Sequence, residues 1–348
     1  MALINTDNLS LMDLHRSYGE NSMEYQISEL LSISTPLIAD LQWTQATDTN
    51  VHKASVRDSL PTVSYGQFNK GTSASKTTRK IVLENMGWLE GLNETDRKLL
   101  DHTPNPERVR FDQERGFFEA FGQKAETDFF YGSLTANPLG FKGLSPRYNT
   151  VTGDIGKYVV SAGGTGTDNA SIWIINHGTD STQGIYPKGE KSGLQVDNWG
   201  DYTVKDSQNR SMRVAGTFFK WWLGLTVGDY RNNVRIANID VSDVRADPTG
   251  ASVNLVKFII DAVNRIPVPP AGFAPVTIQG YKESVKPAAR KTMIYMPRAI
   301  YTMLEVQANN KTVNGLMMGQ AFGQAYPMIR GIPIRMSDSL LLNEAQVV

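Results

Sequence analysis

Residues 171–200 read SIWIINHGTDSTQGIYPKGEKSGLQVDNWG. Inside that stretch, Gly184-Ile-Tyr-Pro-Lys-Gly-Glu-Lys-Ser192 has a glycine, four residues, a second glycine and then a Lys-Ser pair. That is the outline of a phosphate-binding loop, G-x-x-x-x-G-K-[ST]. Read that way, the chain is a nucleotide-using enzyme. Read as a tight turn between strands, it belongs to a protein that does no chemistry there.

Three requirements of the phosphate loop fail. Glu190 stands between Gly189 and Lys191, which displaces the lysine by one residue and puts a negative charge where phosphate would sit. Pro187 removes a backbone N–H from a loop whose function depends on N–H donors. The following Gly-Leu-Gln-Val-Asp-Asn-Trp-Gly200 is not a helix, so the anion lacks the helix N-terminus it needs. The stretch therefore reads as a hairpin turn shaped by Gly184, Pro187 and Gly189, with Lys188, Glu190 and Lys191 exposed.

Strand signals continue on both sides. Ser171–Asn176, Gly184–Tyr186, Tyr202–Lys205, Met212–Phe219 and Trp221–Val227 read as strands separated by Gly, Asn and Asp turns. Gly163-Gly-Thr-Gly166 is a flexible turn that lacks the third glycine of a dinucleotide fingerprint. Upstream, Pro104-Asn105-Pro106 places an Asn N-cap before a proline at the first helical position. Glu107 follows in the first turn, where the helix dipole favours an acid. Phe111, Phe118, Phe121, Ala125 and Phe129 then form one stripe of a helix that runs to Tyr131 or Gly132. Arg115 and Glu119 are spaced to pair on its other side.

Residues 44–85 have strand-like ends, Val51–Val56 and Thr77–Leu83, around a polar middle. Lys53, Arg57, Lys70, Lys76, Arg79 and Lys80 outnumber the acids Asp48, Asp58 and Glu84. An isolated two-stranded ribbon is marginal in water, so this is either a floppy basic loop or an arm stabilised by lying across another subunit. Nearer the N-terminus, Asn21 and Glu24 resemble a capping box. Met23, Ile27, Leu30 and Leu31 follow at helical spacing, and Pro36 ends the pattern. That helix either sits on its own domain or packs on a neighbour. In the last third, Val253–Arg265 is amphipathic, Pro267–Pro275 is a proline-rich loop, Thr292–Met296 is a buried strand, Pro297 opens a helix at Arg298–Ala308, and Ile329–Arg335 is an edge-type strand.

Composition narrows the function classes. The chain has 348 residues, 35 Lys plus Arg, 35 Asp plus Glu and no cysteine. Length suggests about two domains. Balanced charge argues against strong duplex-DNA affinity, which rests on neutralising phosphates, but allows weak apposition. Without cysteine there is no disulfide, thiolate metal site or cysteine nucleophile. The N-terminus does not read as a secretory signal, and no run approaches the ~20 apolar residues of a membrane span. His15, His52, His102 and His177 are isolated and read as surface or turn residues. Asp240, Asp243 and Asp247 read as a solvated turn, since they lack calcium-loop spacing. No G-x-S-x-G elbow is present. No catalytic, cofactor or metal residues are assigned.

The order of parts runs helical arm, basic β-arm, long helix, β-rich region and α/β region. With the strings at 171–200, 291–304 (KTMIYMPRAIYTML) and 330–348 (RGIPIRMSDSLLLNEAQVV), it resembles the major capsid proteins of tailed double-stranded DNA bacteriophages, with the Hong Kong 97-type capsid fold. The resemblance implies an α+β fold with an N-terminal arm (1–43), an E-loop β-hairpin (44–85), a P domain (86–230) with a spine helix at about 106–132, an A domain (231–336) and a C-terminal tail (337–348). It implies a subunit that self-assembles into hexamers and pentamers of an icosahedral virion shell. Its other partners would be a portal protein, a decoration protein where one is used, and packaged dsDNA in non-specific apposition. Assembly would take place in the host bacterial cytoplasm. Because only about 43 residues precede the E-loop, a separate scaffolding protein and no large cleavage are expected. Lys70 lies near the E-loop tip without an identifiable asparagine partner, so no covalent cross-link is expected. Lys53, Arg57, Lys70, Arg79, Lys80, Lys188, Glu190 and Lys191 are the candidate inter-subunit contacts. An encapsulin-like compartment shell is the alternative of the same fold, and a nucleotide-binding enzyme using 184–192 the alternative of another class.

Overall fold

The computed structural model describes residues 35–178, 181–206, 208–266, 291–309, 316–321 and 324–348. The expected N-terminal helix around Asn21–Leu31, His15 and the proline-rich loop Pro267–Pro275 lie outside the described residues. In chain order the helices are α1 (Pro36–Asp40), α2 (Arg97–Asp101), α3 (Pro106–Tyr131), α4 (Gly153–Gly156), α5 (Val241–Ala246), α6 (Leu255–Arg265) and α7 (Arg298–Asn309). The strands are β1 (Trp43–Gln45), β2 (Val51–Ser59), β3 (Thr78–Asp96), β4 (Val159–Ser161), β5 (Asn169–His177), β6 (Thr182–Tyr186), β7 (Leu194–Lys205), β8 (Ser211–Val227), β9 (Val234–Asp240), β10 (Lys291–Met296), β11 (Leu316–Ala321), β12 (Gln324–Ile329) and β13 (Ile332–Met336). Pro36, expected to end a helix, opens α1, because proline fits the first helical position where no N–H is needed.

The long helix starts where its cap predicts. The Asn105 side-chain oxygen accepts from the Arg108 N–H at 3.3 Å, with Pro106 next and Glu107 in the first turn. Its 26 residues span on the order of 40 Å at 1.5 Å per residue. The expected aromatic stripe is only partly buried. Phe121, Ala125 and Phe129 are buried, but Phe111 and Phe118 remain 59% and 39% exposed. Phe117, one residue off the stripe, takes the inward place.

The described residues form two compact units. One contains Trp88–Ala125 and Lys191–Trp222. Here β7 pairs antiparallel with β8, from Leu194 opposite Trp221 to Lys205 opposite Ser211. Met212–Phe219 and Trp221–Val227, expected as two strands, are the single strand β8, since nothing at Lys220 turns the chain and Gln195 pairs across from it. Leu99, Leu100, Val109 and Ala215 make a small core. Phe117 stacks on Phe219 with ring centroids 5.1 Å apart. Arg110 donates to the Thr217 hydroxyl at 2.8 Å, and that hydroxyl donates to Glu114 at 2.7 Å.

The other unit contains Ser34–Gly87, Glu126–Glu190 and Leu223–Val348. Its central strand β5 is buried along its whole length and lies antiparallel to both β9 and β10. Ile172, Ile174, Val234, Ile236 and Ile294 of this sheet pack with Val244, Leu255, Ile259, Ile300 and Leu304 of α5, α6 and α7. The helices are capped by local side chains. The Asn254 side chain accepts from Lys257 N–H on α6. Of the three aspartates expected in a solvated turn, Asp240 caps α5, accepting from the Asp243 N–H at 3.0 Å, and Asp247 holds the turn beyond the helix through the Thr249 hydroxyl and the Ser252 N–H. Burial of His177 inside β5 also corrects its reading as a surface residue; its Nε2 lies 2.8 Å from the Tyr295 hydroxyl.

Strand β13 is not an edge. It runs parallel to β10 and antiparallel to β12. Its proline is tolerated because the β10 pairing begins at Ile334, one residue after Pro333. The 184–192 stretch is a tight turn, in which the Glu190 N–H reaches the Pro187 carbonyl at 3.3 Å and Gly189 has φ 93°. It is not a hairpin, however. Strand β6 pairs with β8 at Thr182–Val227, and β7 pairs with β8 at Leu194–Trp221, rather than with each other. A strand, not a helix, follows the loop.

Gly184 is required by close approach rather than by turn geometry. Strand β1 runs parallel to β6 with Trp43 opposite Gly184, and a Cβ added there would lie 2.8 Å from the indole. Gly184→Val is expected to cost about 1–3 kcal/mol through overpacking. Gly189→Ala, in open space but at positive φ, is expected to cost about 1 kcal/mol. Urea midpoints of the two variants check the order.

Candidate inter-subunit interface

The basic arm is a hairpin of β2 and β3, with Val51 opposite Asn85 and Val56 opposite Lys80. Its two ends differ sharply. At the root, Glu84 is 4% exposed and meets Arg147 in a two-pronged ion pair, Nη1–Oε1 2.5 Å and Nη2–Oε2 2.7 Å. Arg147 also donates to the carbonyls of Lys142 and Gly143. Glu84 is thus no surface acid offsetting the arm's basic charge, as composition alone suggested. A bidentate charged pair is among the stronger and more directional polar contacts. Thr47 adds a second tie, accepting from the Lys53 N–H at 2.9 Å, while its own N–H points at His52 Nδ1 at 3.3 Å. Burial pushes the His52 imidazole below its ordinary value, with the nearby Glu84 charge opposing that shift. The Nδ1 lone pair is therefore kept available to accept from Thr47.

At the tip the chain has few contacts of its own. Beyond the Ser59–Thr78 hydroxyl pair at 2.6 Å, Ser75 donates to the Thr62 carbonyl at 2.8 Å and Lys70 N–H reaches Gln67 at 3.3 Å. Leu60, Val63, Tyr65 and Phe68 are 72%, 89%, 106% and 97% exposed. These four apolar side chains were missed from sequence, where the segment registered only as polar and basic. Their signal was available as bulky residues in a segment with neither helical nor strand period.

Of the candidate contacts, Lys53, Lys70, Arg79 and Lys80 are exposed along the hairpin, and Arg57 lies opposite Arg79 in register. Lys188 and Lys191 are exposed too, whereas Glu190 is half-buried rather than free in solvent. The fold brings the 184–192 turn to the hairpin root, since Ala46 N–H bonds Tyr186 and Lys188 N–H approaches Asp48 at 3.5 Å. Among the described residues, no group of three His, Asp or Glu side chains could hold a metal ion, and no helix is long and apolar enough to cross a membrane.

The family profile described as Major capsid protein GP7 matches residues 19–348. The chain belongs to the major capsid protein GP7 family. It is a phage major capsid protein with the Hong Kong 97-type fold. A chain of bacteriophage Epsilon15 is 29% identical, with TM-score 0.71, over 100% of this chain and 99% of the other. The bacteriophage JBD30 capsid is 9% identical at TM-score 0.47, covering 91% of this chain and 94% of that one. The SrpI encapsulin of Synechococcus elongatus PCC 7942 is 12% identical at TM-score 0.45, covering 66% and 96%. No curated protein sequence matches the chain.

Proposed function

We propose that this capsid protein closes an icosahedral virion shell of hexamers and pentamers around packaged double-stranded DNA, and that the β2–β3 hairpin is the arm that ties each subunit to its neighbour. The observation that carries this reading is the tip: four bulky apolar side chains stand in solvent on a segment with almost no contacts of its own. Exposed apolar patches of this kind mark interaction sites. Many modest contacts, repeated by symmetry, hold a shell in which each subunit has several neighbours.

On this reading residues 1–43 are the N-terminal arm, 44–85 the E-loop, 86–230 the P domain with α3 as its spine, 231–336 the A domain and 337–348 the tail. Lys53, Arg57, Lys70, Arg79, Lys80, Lys188, Glu190 and Lys191 face charged groups of neighbouring subunits. The net charge of zero suits a wall that encloses DNA without gripping it. A separate scaffolding protein, a portal and, where used, a decoration protein complete the particle, which assembles in the host bacterial cytoplasm. The role is structural rather than catalytic: the near-Walker loop leads into β7, which supplies no helix N-terminus for phosphate.

Electron microscopy of the purified protein tests the reading. Uniform closed shells are expected from the intact chain. Replacing residues 61–76 by a short Gly-Ser turn is expected to abolish shells while leaving far-UV circular dichroism of the remaining fold intact. Shells of normal yield from the shortened chain would refute the hairpin's role.

A further inference from the structure

Helix α1 is seated through two carboxyl groups. One is Asp40, at its own C-terminal end, with a side chain only 5% exposed. Asp40 accepts from Lys291 Nζ at 2.7 Å and from the Tyr295 hydroxyl at 3.0 Å, and Arg335 Nε lies 3.3 Å away. The other is Glu126 of α3, which is fully buried. Its carboxyl accepts from the Ser337 hydroxyl at 2.8 Å and from the Leu37 N–H of α1. Leu37 packs its side chain at the same place, 1% exposed.

The two seats differ in charge. Asp40 is met by cations. The charges acting on Glu126 are of its own sign, Asp338 and Asp40, and the cations of those two are already taken up: Arg298 pairs with Asp338 at 2.6 Å, and Lys291 and Arg335 pair with Asp40. An ionised Glu126 has one hydroxyl and one N–H in place of its water, which is a poor exchange for a buried charge. Burial raises its carboxyl to about 7, the charges of Asp338 and Asp40 adding to the shift. The remaining titratable groups of the seat are His177 and Tyr295, whose Nε2 and hydroxyl lie 2.8 Å apart. Burial lowers the imidazole to about 4 and holds the phenol well above its ordinary value, so neither changes charge near neutrality.

Helix α1 has five residues. A helix that short is not stable by itself, so α1 stays folded only while it is seated. The sheet beneath has its own buried core, in which Ile172, Ile174, Ile236 and Ile294 are all fully buried. Local opening of a weakly held element leaves such a core in place.

We infer that Glu126 is a pH-operated latch on α1. In its protonated form it holds the helix down. In its ionised form it draws water into the seat and releases the helix, while the sheet of β5, β9 and β10 stays intact. The sign follows from linkage: the seated state favours the proton, so the hold is complete in acid and is lost as pH rises through about 7. Helix α1 follows residues 1–34 directly in the chain, so its release frees the point from which that segment departs.

Hydrogen–deuterium exchange of the unassembled full-length chain, corrected for the intrinsic pH dependence of exchange, tests the latch. From pH 5.5 to 8.5, protection of residues 36–43 is expected to fall about tenfold or more in the wild type and by less than about twofold in Glu126→Gln. At pH 8.5, protection of residues 171–177 in β5 is expected to stay about tenfold or more above that of residues 36–43. Equal protection of the two segments would mean that the sheet opens together with the helix, and overturns the latch. A fall in Glu126→Gln as large as in the wild type overturns it as well. Asp338→Asn provides a second reading. Removing that charge favours ionised Glu126, so the midpoint of the fall is expected at lower pH than in the wild type. An unmoved or higher midpoint overturns the assignment to Glu126.

Discussion

Arg235→Met is expected to destabilise the unassembled chain by about 3–5 kcal/mol, the cost of leaving a buried charge without its partner. Arg235 is 2% exposed and is the second residue of β9. Its guanidinium donates to Ser171 Oγ at 3.0 Å, to the Tyr148 carbonyl at 2.9 Å and to Glu344 Oε2 at 2.8 Å, and it lies 5.0 Å from the centre of the Trp173 ring. Glu344 accepts further from the hydroxyls of Ser171 and Tyr131. Burial, reinforced by the Glu344 charge, pushes the Tyr131 phenol far above its ordinary range, so it remains a donor. The network fastens the last residues of the chain, where Glu344 bridges Asn169, and the Asn238 side chain makes two 2.8 Å bonds to the backbone of Val347.

Methionine keeps much of the volume but leaves the Glu344 carboxylate to two hydroxyls. Arg235→Met with Glu344→Leu removes both charges and is expected to recover a substantial part of the loss. Urea unfolding of the four chains in this double-mutant cycle measures the coupling. A single-variant cost below 1 kcal/mol would show that the pair is only a passenger in the core.

The second large effect depends on pH. Glu126 of α3 is buried. Its Oε1 accepts from the Ser337 hydroxyl at 2.8 Å. Burial pushes its carboxyl up to about 7, helped by the charges of Asp338 and Asp40 and opposed by the Ser337 hydroxyl and the Leu37 N–H. Of the other charged groups nearby, Lys291 and Arg335 are engaged with Asp40 at 2.7 and 3.3 Å. A carboxyl raised from 4.5 to about 7 on folding contributes stability that is complete below 4.5 and lost as pH rises through 7, on the order of 3 kcal/mol.

His177 acts in the opposite direction. Burial lowers its imidazole from 6.5 to about 4, so its contribution is present above 6.5 and lost as pH falls through 4. Between 4.5 and 6.5 the two slopes oppose each other, and above 6.5 Glu126 acts alone. Glu126→Gln is therefore expected to match the wild type near pH 4 and to exceed it by up to about 3 kcal/mol at pH 8. Chemical unfolding across pH 4–8 reads the difference between the two profiles. A constant difference would mean that Glu126 does not titrate in this window.

Much of the fold was legible because its signals are local. The Asn105-Pro106 cap and a 26-residue helix involve neighbours in sequence. So do the strand-like ends of the hairpin, the amphipathic α6, and the turn around Gly189. The failed phosphate loop was legible for the same reason, since an inserted Glu190 and a missing helix are visible in nine residues. The proposed interface was half legible: the basic residues of the hairpin stood out by charge, but the bare Tyr65 and Phe68 did not. An apolar side chain in sequence carries no mark of whether a core will receive it.

The sequence by itself determined the succession of elements, the charge balance that disfavours tight DNA binding, the absence of cysteine chemistry and the resemblance to phage capsid subunits. Only the tertiary structure decided which polar groups are buried. It put Glu84 against Arg147 and Glu344 against Arg235, and it sealed Glu126 and His177 inside. It also joined two expected strands into β8 and set β13 between β10 and β12. Most of these depend on residues far apart in sequence, as with Arg235 and Glu344 at a separation of 109. Backbone propensity and side-chain period act over a few residues. Burial and pairing are properties of what the chain brings together.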